Sequence, residues 1–269
     1  KNIGYNNILD VSEGLDCLGE FSEPTCVIVK HNNPCGIASS ENIKKAYLKA
    51  LQSDPKSSFG GVVLLNRSID PILAKLINKN FFEIIVSPRL KNETINILKR
   101  KKRLIVIDSV GLRKNYRNSK KTVNGGFLNQ ETNLFKMTKS KMKLVSKIKA
   151  SKKIIEDLIF AYKICKHVKS NAIVLVNNKQ TVGIGAGQMS RLDSTRIAIL
   201  KYKDFFNGKK FVCASDAFFP FIDNLQQLLK HNCKAIIQPS GSKNDNIIID
   251  YAIKKKTSLY FVKTRVFKH

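Results

Sequence analysis

The sequence lacks an apolar run of the roughly 18 residues that a membrane-spanning helix needs. Its opening segment, KNIGYNNILD, also lacks the apolar core and the small-residue cleavage site of a secretion signal. A hydrophobic content of 43% over 269 residues is typical of a globular protein with one large domain or two smaller ones. We therefore expect a cytoplasmic protein without a membrane segment.

Cysteine pairs and histidine clusters are also missing. The six cysteines form no CxxC pair, and the four histidines leave no spacing typical of zinc ligands. We expect reduced, mostly buried thiols and no bound metal. The cysteines are Cys17, Cys26, Cys35, Cys165, Cys213 and Cys233.

Acidic residues are scarce relative to basic ones, with 20 against 48 and a net charge of +28. Such a surface can bind nucleic acid, membranes or small anions. The lysine runs LKRKKRL (98–104) and KSKMKLVSKIKASKK (139–153) carry much of the charge. No aromatic residues alternate with them as stacking platforms for bases would require. A solvated surface is the favoured interpretation, and we do not expect specific nucleic-acid binding.

Short β-branched runs alternate with helical patterns along the chain. Helical periodicity is clearest after Ser151, a candidate N-cap, where apolar residues from Ile155 to Cys165 share one face. ENIKKAYLKALQ and IDNLQQLLKH also predict helices. The pattern predicts a layered α/β protein whose sheet is covered by helices. The predicted strands are CVIVKH, GGVVLLN, FEIIVSP, RLIVID, NAIVLVNN, KKFVCAS, KAIIQPS and SLYFVKT.

The two halves of the chain have similar patterns. IIVSP with LKRKKRLIVID in the first half corresponds to IIQPS with AIKKKTSLYFV in the second. This predicts a duplicated α/β unit, joined by a lysine-rich segment over about 113–149. We expect one subdomain at 1–130, with KHNNPCG and SSFGG, and a second at 131–269, with KSNAI, GIGAGQMSR and SDAFFPFID.

The stretch VIVKHNNPCGIAS, residues 27–39, ends a buried strand on a cation and an imidazole. Asn33 and Pro34 then predict a turn at the sheet edge, where open α/β sheets bind ligands. Lys30 and His31 could stabilise an oxyanion and shuttle a proton near neutral pH. Taken alone, an ordinary polar turn explains this dipeptide better. Cys35 has no histidine partner, so we interpret it as a packing residue.

Two glycine-rich stretches are candidates for anion binding. SSFGG (57–61) could bind an anion through backbone N–H groups, although a tight turn explains it equally well. GIGAG only partly matches a dinucleotide fingerprint, because Ser190 occupies the third glycine position. Its glycines lead to Gln188, Ser190, Arg191 and Asp193 at a helix start. Arg191 suits a phosphate or a carboxylate, and we favour a functional site here.

The remaining candidates lie near the carboxyl terminus. In SDAFFPFIDN (215–224), three phenylalanines between Asp216 and Asp223 predict an apolar slot with acidic ends, in which a planar heterocycle could stack. The alternative is a helix-entry segment whose phenylalanines fill the core. PSGSKND (239–245) is a second Gly/Ser turn, and TRVFKH places Arg265 and His269 after the last strand.

Seven motifs, taken together and in order, resemble those of the AICAR transformylase family. This family is the folate-dependent part of the bifunctional AICAR formyltransferase/IMP cyclohydrolase of purine biosynthesis. The resemblance extends from Tyr5 to His269 and implies two tandem cytidine-deaminase-like subdomains. It implies no zinc, since the H-x-E and P-C-x-x-C ligands of true deaminases are absent. The motifs are KHNNPCG, DPKSSFGG, FFEIIVSP, VKSNAIV, GIGAGQMSR, SDAFFPF and QPSGS.

The resemblance implies transfer of a formyl group from the cosubstrate 10-formyltetrahydrofolate to the 5-amino group of AICAR, which gives FAICAR. No metal is required for this chemistry, and a structural monovalent cation is allowed. The family also implies a homodimer with its active site at the subunit interface. Full-length members carry an N-terminal IMP cyclohydrolase domain, to which nothing here corresponds. This sequence begins after the RYGxNPHQ-type segment, which supplies an arginine to the phosphate site.

The same resemblance implies roles for individual residues. Lys30 and His31 match the catalytic pair: His31 would manage the amine proton through the neighbouring carboxamide. Lys30 would stabilise the tetrahedral intermediate or protonate the departing folate nitrogen. Asn171 would donate a hydrogen bond to the formyl oxygen, where negative charge develops. Asp223 would anchor the pterin, in a slot lined by Pro220 and Phe221. The AICAR positions are Asn7, Gly60, Glu83, Arg191, Phe218, Arg265 as a phosphate ligand, and His269.

Two other interpretations stay open. A net charge of +28 exceeds what two small anionic substrates require, so a basic nucleic-acid-binding protein is one alternative. It predicts strong, salt-sensitive retention of nucleic acid. A catalytically weakened or silent homologue is the other, although all of the matching site residues are present.

Overall fold

The computed structural model describes residues 2–112 and 118–269. The first five residues of the predicted join, 113–117, lie outside this part of the chain. An eleven-stranded mixed sheet dominates it, with helices on both faces. The helices are α1 Tyr5–Leu18, α2 Ile43–Ser53, α3 Pro55–Ser58, α4 Pro71–Ile77, α5 Asn92–Leu98, α6 Lys152–Cys165, α7 Arg191–Phe206, α8 Asp223–Lys230 and α9 Asp245–Lys254, with a 3₁₀ turn at Lys139–Lys141. The strands are β1 Thr25–Lys30, β2 Asn33–Ser39, β3 Val62–Leu65, β4 Ile84–Ser87, β5 Ile105–Asp108, β6 Asn118–Val123, β7 Gly126–Glu131, β8 Lys143–Leu144, β9 Ile173–Asn177, β10 Gln180–Gly185, β11 Phe211–Ser215, β12 Cys233–Pro239 and β13 Ser258–Val262.

The strand order, β5-β4-β3-β1-β2-β10-β9-β11-β12-β13-β8, contains the same unit twice. In the first half, the β1–β2 hairpin pairs with antiparallel β3, which β4 and β5 follow in parallel. In the second half, β9–β10, β11, β12 and β13 repeat this arrangement. The predicted α/β duplication is therefore confirmed. The halves share one continuous sheet through the β2–β10 pair, and the boundary near residue 130 stays a prediction.

Three apolar clusters hold the layers together. Helices α1 and α6 cover one face of the sheet, over a cluster that extends across both halves. On the other face, α2, α4 and α5 cover the first half, and α7, α8 and α9 cover the second. Side chains of β1 alternate between the layers: Val27 and Val29 join the first cluster, Cys26 and Ile28 another. Burial on both sides explains why these strands have almost continuous apolar sequences.

Three predicted helices are confirmed in position. Helix α6 begins after Ser151, whose hydroxyl accepts a hydrogen bond from the N–H of Ile154. Helix α8 lies within IDNLQQLLKH, and α2 begins within ENIKKAYLKALQ and extends one residue further, to Ser53. The cysteines also agree with expectation, because all six are free and five of them are buried.

The central hairpins contain two strands that the sequence pattern did not predict, β2 and β10. The expected Pro-containing turn after His31 is wrong, because Pro34 lies within β2. The turn is instead His31–Asn32, with φ of 53° and 60°, and Lys30 pairs with Asn33 across it. These are the features of a two-residue type I′ hairpin. The register then shifts between Ile28 and Val29, and this bulge accommodates the proline.

The β9–β10 hairpin has the same geometry. Its turn is Asn178–Lys179, with φ of 50° and 52°, and its register shifts between Thr181 and Gly183. Each hairpin also packs a glycine against the helix that follows it. A Cβ atom on Gly36 would lie 2.1 Å from the carbonyl oxygen of Ala50, and one on Gly183 would lie 2.1 Å from that of Ala198. The duplication therefore extends to individual contacts.

Part of the predicted lysine-rich join forms a β-hairpin. Strands β6 and β7 pair around Asn124 and Gly125, and every residue of both strands is exposed. The Asn-Gly pair is a hairpin signal that the sequence interpretation did not use. No helix within residues 2–112 and 118–269 is long and apolar enough to cross a membrane. Over the same residues, no cluster of three or more His, Cys, Asp or Glu side chains could hold a metal ion.

Candidate active site

The structure places the predicted site residues along one edge of the large sheet. Lys30 ends β1, beside the starts of β3 and β4, which Gly60 and Glu83 precede. Asn171 precedes β9, next to the carboxyl end of β11, which is followed by Phe218. This edge therefore combines carboxyl and amino ends of strands, because β1 and β9 run antiparallel to their neighbours.

The hairpin turn presents Lys30 and His31 at this edge. The Lys30 Nζ donates to the carbonyl oxygen of Phe59 at 2.6 Å, and His31 is exposed. The N–H of Asn32 donates to Asp10 Oδ1 at 2.6 Å, which ties the turn to helix α1. On the other side, Asn33 Oδ1 accepts from the backbone N–H of Lys169 at 2.9 Å, in the second half of the chain. The dipeptide is thus held by contacts to both halves.

A cleft of about 510 Å³ opens beside Lys30 and His31. Its walls come from both halves, and a Lys201–Asp54 ion pair crosses it, with Ser57 Oγ bonded to both partners. Burial alone would raise the pKa of Asp54, but hydrogen bonds from Lys201 and Ser57 outweigh it and lower that pKa. The cleft can therefore present cationic and hydroxyl groups to a polar ligand.

Cys35 lies against the same cleft but is poorly suited to reaction. Its thiol faces the carbonyl oxygen of Ile28 at 3.5 Å and the Ser58 hydroxyl at 3.9 Å. Burial raises the pKa of Cys35 to about 12. The thiol stays protonated at neutral pH, in agreement with a packing role.

In the second half, a buried network surrounds Arg191. Its guanidinium donates to the Asp216 carboxylate, to Ser215 Oγ at 3.0 Å and to Asn171 Oδ1 at 2.7 Å. Asp216 is fully buried, and its other oxygen accepts from Ser170 Oγ at 2.5 Å. The arginine charge is therefore already balanced inside the chain, whereas the sequence suggested a free anion ligand.

The same network occupies the Asn171 side chain. Its Nδ2 donates to the carbonyl oxygens of Gln188 and Met189, at 2.8 and 3.1 Å. A carboxamide nitrogen carries two hydrogens, so both are in use. Donation to a formyl oxygen would require one of these bonds to open.

Sequence reasoning missed the role of Asp216 and treated it as one end of an aromatic slot. The three phenylalanines do not form that slot, because each takes a different environment. Phe219 is fully buried in the core, Phe218 is half-buried, and Phe221 is 62% exposed. The available signal in the sequence was an aspartate directly after a buried strand.

Arg265 and His269 lie on the C-terminal segment that follows β13. The Arg265 guanidinium lies 4.8 Å from the Phe218 ring centre, a cation–π contact, and passes close to Gly241 of the QPSGS turn. No carboxylate of the described residues forms an ion pair with it. The His269 ring lies 5.7 Å from that of Phe267. Arg265 is thus an exposed, oriented cation suited to a phosphate.

The predicted positions form two separate groups along the edge. Five strand spacings separate β3 from β11, which is roughly 24 Å at about 4.8 Å per spacing. Strands β1 and β9, which His31 follows and Asn171 precedes, are three spacings or about 14 Å apart by the same measure. A nucleotide in contact with Gly60, before β3, is therefore too short to contact Phe218, after β11, within one chain. The first group is Asn7, Lys30, His31, Gly60 and Glu83; the second is Asn171, Arg191, Phe218, Pro220, Phe221, Asp223, Arg265 and His269.

Known proteins resemble this chain over its whole length. A family model described as AICARFT/IMPCHase bienzyme matches residues 1–201. The bifunctional purine biosynthesis protein PurH of Thermoanaerobacter sp. (strain X514) is 45% identical over 270 residues, which are 100% of this chain and 52% of the relative. Proteins of that name from Wigglesworthia glossinidia brevipalpis and Buchnera aphidicola subsp. Schizaphis graminum are 45% and 42% identical, again over 100% of this chain and over 51% and 52% of the relatives. The chain spans about half the length of the relatives it matches.

Proposed function

The chain belongs to the AICARFT/IMPCHase bienzyme family, and on that basis we propose that it is a folate-dependent AICAR formyltransferase of purine biosynthesis. It would transfer the formyl group of 10-formyltetrahydrofolate to the 5-amino group of AICAR and release FAICAR and tetrahydrofolate. The observation that carries this proposal is the exposed turn with Lys30 and His31, on the same sheet edge as Asn171 and Arg265.

The reaction exchanges one carbon–nitrogen bond for another. The amine nitrogen of AICAR attacks the formyl carbon, and a tetrahedral intermediate forms with negative charge on the formyl oxygen. The bond from that carbon to N10 of the folate then breaks, the amine loses a proton, and N10 gains one. Groups that move a proton and groups that stabilise an oxyanion are therefore both needed.

Lys30 and His31 can supply these functions. His31 is exposed and would accept the amine proton through the neighbouring carboxamide. The Lys30 ammonium, now bonded to the Phe59 carbonyl oxygen, would stabilise the intermediate or protonate N10. Asn171 remains the proposed donor to the formyl oxygen, provided that it releases the carbonyl of Gln188 or Met189. No metal takes part in this scheme.

We further propose that the functional unit is a homodimer whose active sites lie between subunits. The roughly 24 Å between β3 and β11, beside which Gly60 and Phe218 lie, supports this, because a second copy can bring the first group of one chain to the second group of the other. The nucleotide would then lie between Gly60 and Glu83 of one subunit and Phe218 and Arg265 of its partner.

Large apolar side chains exposed at this edge also support a covered surface. Four examples are Tyr5 at 78% exposure, Phe59 at 63%, Met189 at 99% and Phe221 at 62%. Apolar residues grouped around a polar site are typical of a protein or ligand interface. Phe221, with Pro220 and Asp223, keeps its proposed role toward the pterin.

The structural monovalent cation stays a prediction. The buried Asp216 carboxylate is balanced by Arg191, so this position does not require a cation, and no step of the reaction depends on one. A cytoplasmic location is likewise proposed from the substrates.

Formyl transfer from 10-formyltetrahydrofolate to AICAR by this chain tests the proposal. We expect wild-type turnover, and a loss of roughly 100-fold or more in kcat for His31→Ala and for Lys30→Ala. His231→Ala is the matched control, since that histidine follows helix α8 at the opposite sheet edge. No turnover in the wild type, or equal losses in His31→Ala and His231→Ala, would overturn the proposal.

A further inference from the structure

The β1–β2 and β9–β10 hairpins are the equivalent hairpins of the duplicated unit, so their turns can be compared directly. Both turn through two residues at positive φ that are not glycine: His31 and Asn32 in the first, Asn178 and Lys179 in the second. Residues with a Cβ atom adopt this conformation at a steric cost. A contact that binds the turn can offset part of this cost.

A carboxylate on a neighbouring helix provides that contact in both hairpins. Asp10 of α1 accepts the N–H of Asn32 at 2.6 Å. Asp157 of α6 accepts the N–H groups of Asn178 and Lys179 at 2.9 and 2.8 Å. Each aspartate thus binds N–H groups of the turn, in addition to the strand pairing that closes the hairpin.

The two aspartates occupy equivalent positions. Asp10 is the sixth residue of α1, which begins at Tyr5, and Asp157 is the sixth residue of α6, which begins at Lys152. A separation of 22 residues joins Asp10 to Asn32 and also joins Asp157 to Lys179. The carboxylate-held turn is thus a property of the duplicated unit.

Only the first of these turns carries candidate catalytic residues. The strands from β1 through β2 and β10 to β9 are successively antiparallel, so the two turns lie at opposite edges of the sheet. The N–H that Asp10 accepts belongs to the peptide group joining His31 to Asn32. The bond to Asp10 therefore fixes the backbone directly beside the His31 side chain.

We propose that Asp10 is a positioning residue, which holds the His31 imidazole in its reactive orientation without contacting either substrate. This inference rests on the proposed function. A displacement of about 1 Å in a reacting group can lower a rate on the order of 100-fold. Asp157 makes the equivalent contacts at the turn on the opposite edge, away from the site. Replacing Asp157 therefore shows how the loss of such a contact affects stability alone, without an effect on His31.

Steady-state kinetics of Asp10→Ala, Asp10→Asn and Asp157→Ala test this. We expect Asp10→Ala to lower kcat by roughly 10- to 100-fold, with both KM values within about threefold of wild type. Asp10→Asn should recover most of the loss, because a carboxamide oxygen still accepts the Asn32 N–H. Asp157→Ala should keep the wild-type kcat while losing stability. Equal kcat losses in Asp10→Ala and Asp157→Ala, or no rescue by Asp10→Asn, would overturn the proposal.

A readout independent of activity separates this inference from the proposed function. In NMR spectra, Asp10→Ala should shift the His31 imidazole resonances and increase hydrogen exchange at the Asn32 amide, and Asp157→Ala should change neither. Unchanged His31 resonances in Asp10→Ala would overturn the positioning role. If wild type transfers no formyl group, the proposed function fails, and these spectra still decide whether Asp10 holds the turn.

Discussion

At the scale of single residues, the buried Arg191–Asp216 pair organises the second half of the site. Asp216 is fully buried, and Arg191 connects it to Asn171. A buried charge without its partner is strongly unfavourable. We therefore assign Arg191 first to holding the segment at Ser170 and Asn171, and only second to any direct contact with nucleotide.

This assignment predicts a large effect on stability. Asp216→Ala leaves the Arg191 guanidinium buried without a counter-charge, so we expect the free energy of unfolding to fall by about 3–5 kcal/mol. Asp204→Ala is the control, because it breaks the exposed Lys56–Asp204 pair and should cost at most about 1 kcal/mol. Urea denaturation of both variants measures the difference, and similar values would contradict the assignment.

The sequence predicted which residues carry charge at the site better than it predicted what they contact. Lys30 and His31 are visible as an unusual polar end to an apolar strand. Arg191 is visible as a cation at a helix start, but its partner Asp216 comes from a distant part of the chain. Pairing and burial depend on the folded arrangement of β9, β11 and α7, which no local pattern contains.

At the scale of elements, the close contact between each central hairpin and its helix predicts intolerance to a single methyl group. Gly36→Ala and Gly183→Ala would each place a Cβ about 2 Å from a helix carbonyl oxygen. We expect each substitution to lower the free energy of unfolding by about 3 kcal/mol or more. Gly126→Ala is the control, since a Cβ there meets nothing within 4 Å. If thermal or urea unfolding gives the three variants the same free energy of unfolding, the close packing of these glycines is contradicted.

The same glycines explain why the strands β2 and β10 were not predicted. A strand that begins with Asn-Pro and contains glycine has the composition of a loop. The glycines are needed because helices α2 and α7 approach these strands closely, which is a tertiary constraint. Helices α2, α6 and α8 were predicted because their apolar periodicity and caps lie within the segments themselves.

At the scale of the whole molecule, a buried cluster of polar contacts at the ends of α1 and α6 ties the two halves together. Glu20 follows α1, and its carboxylate contacts Lys166 at 2.8 Å and His167 at 3.4 Å, both after α6. Burial would raise the pKa of Glu20, but hydrogen bonds from His167 and Lys166 outweigh it and lower that pKa to about 2.

A lowered pKa makes this stabilisation dependent on pH. The contribution is complete above the unfolded pKa of about 4.5 and is lost as the pH falls toward 2. Between pH 6 and pH 3, wild type should lose roughly 1–2 kcal/mol more stability than Glu20→Gln, after allowance for solvent screening. Urea unfolding at several pH values measures this. Glu23→Gln removes a more exposed ion pair, so its stability should depend on pH as that of wild type does. If Glu20→Gln loses as much stability as wild type between pH 6 and pH 3, the assignment is refuted.

The duplication was predicted from the order of strands and helices, because each unit has the same sequence pattern. The single continuous sheet was not predicted, since the β2–β10 contact joins segments that lie far apart in sequence. The separation of the site residues follows from that sheet. It appears only when the strand order is known, and it supports the proposed site shared between two subunits.

Subunit complementation tests this central claim most directly. His31→Ala and Arg265→Ala change different residue groups, so each homodimer has two damaged sites. Their heterodimer, purified by two different affinity tags, retains one intact site of two. It should have about half of the wild-type kcat/KM for AICAR in formyl transfer. A heterodimer no more active than its parent homodimers would contradict a site shared between subunits.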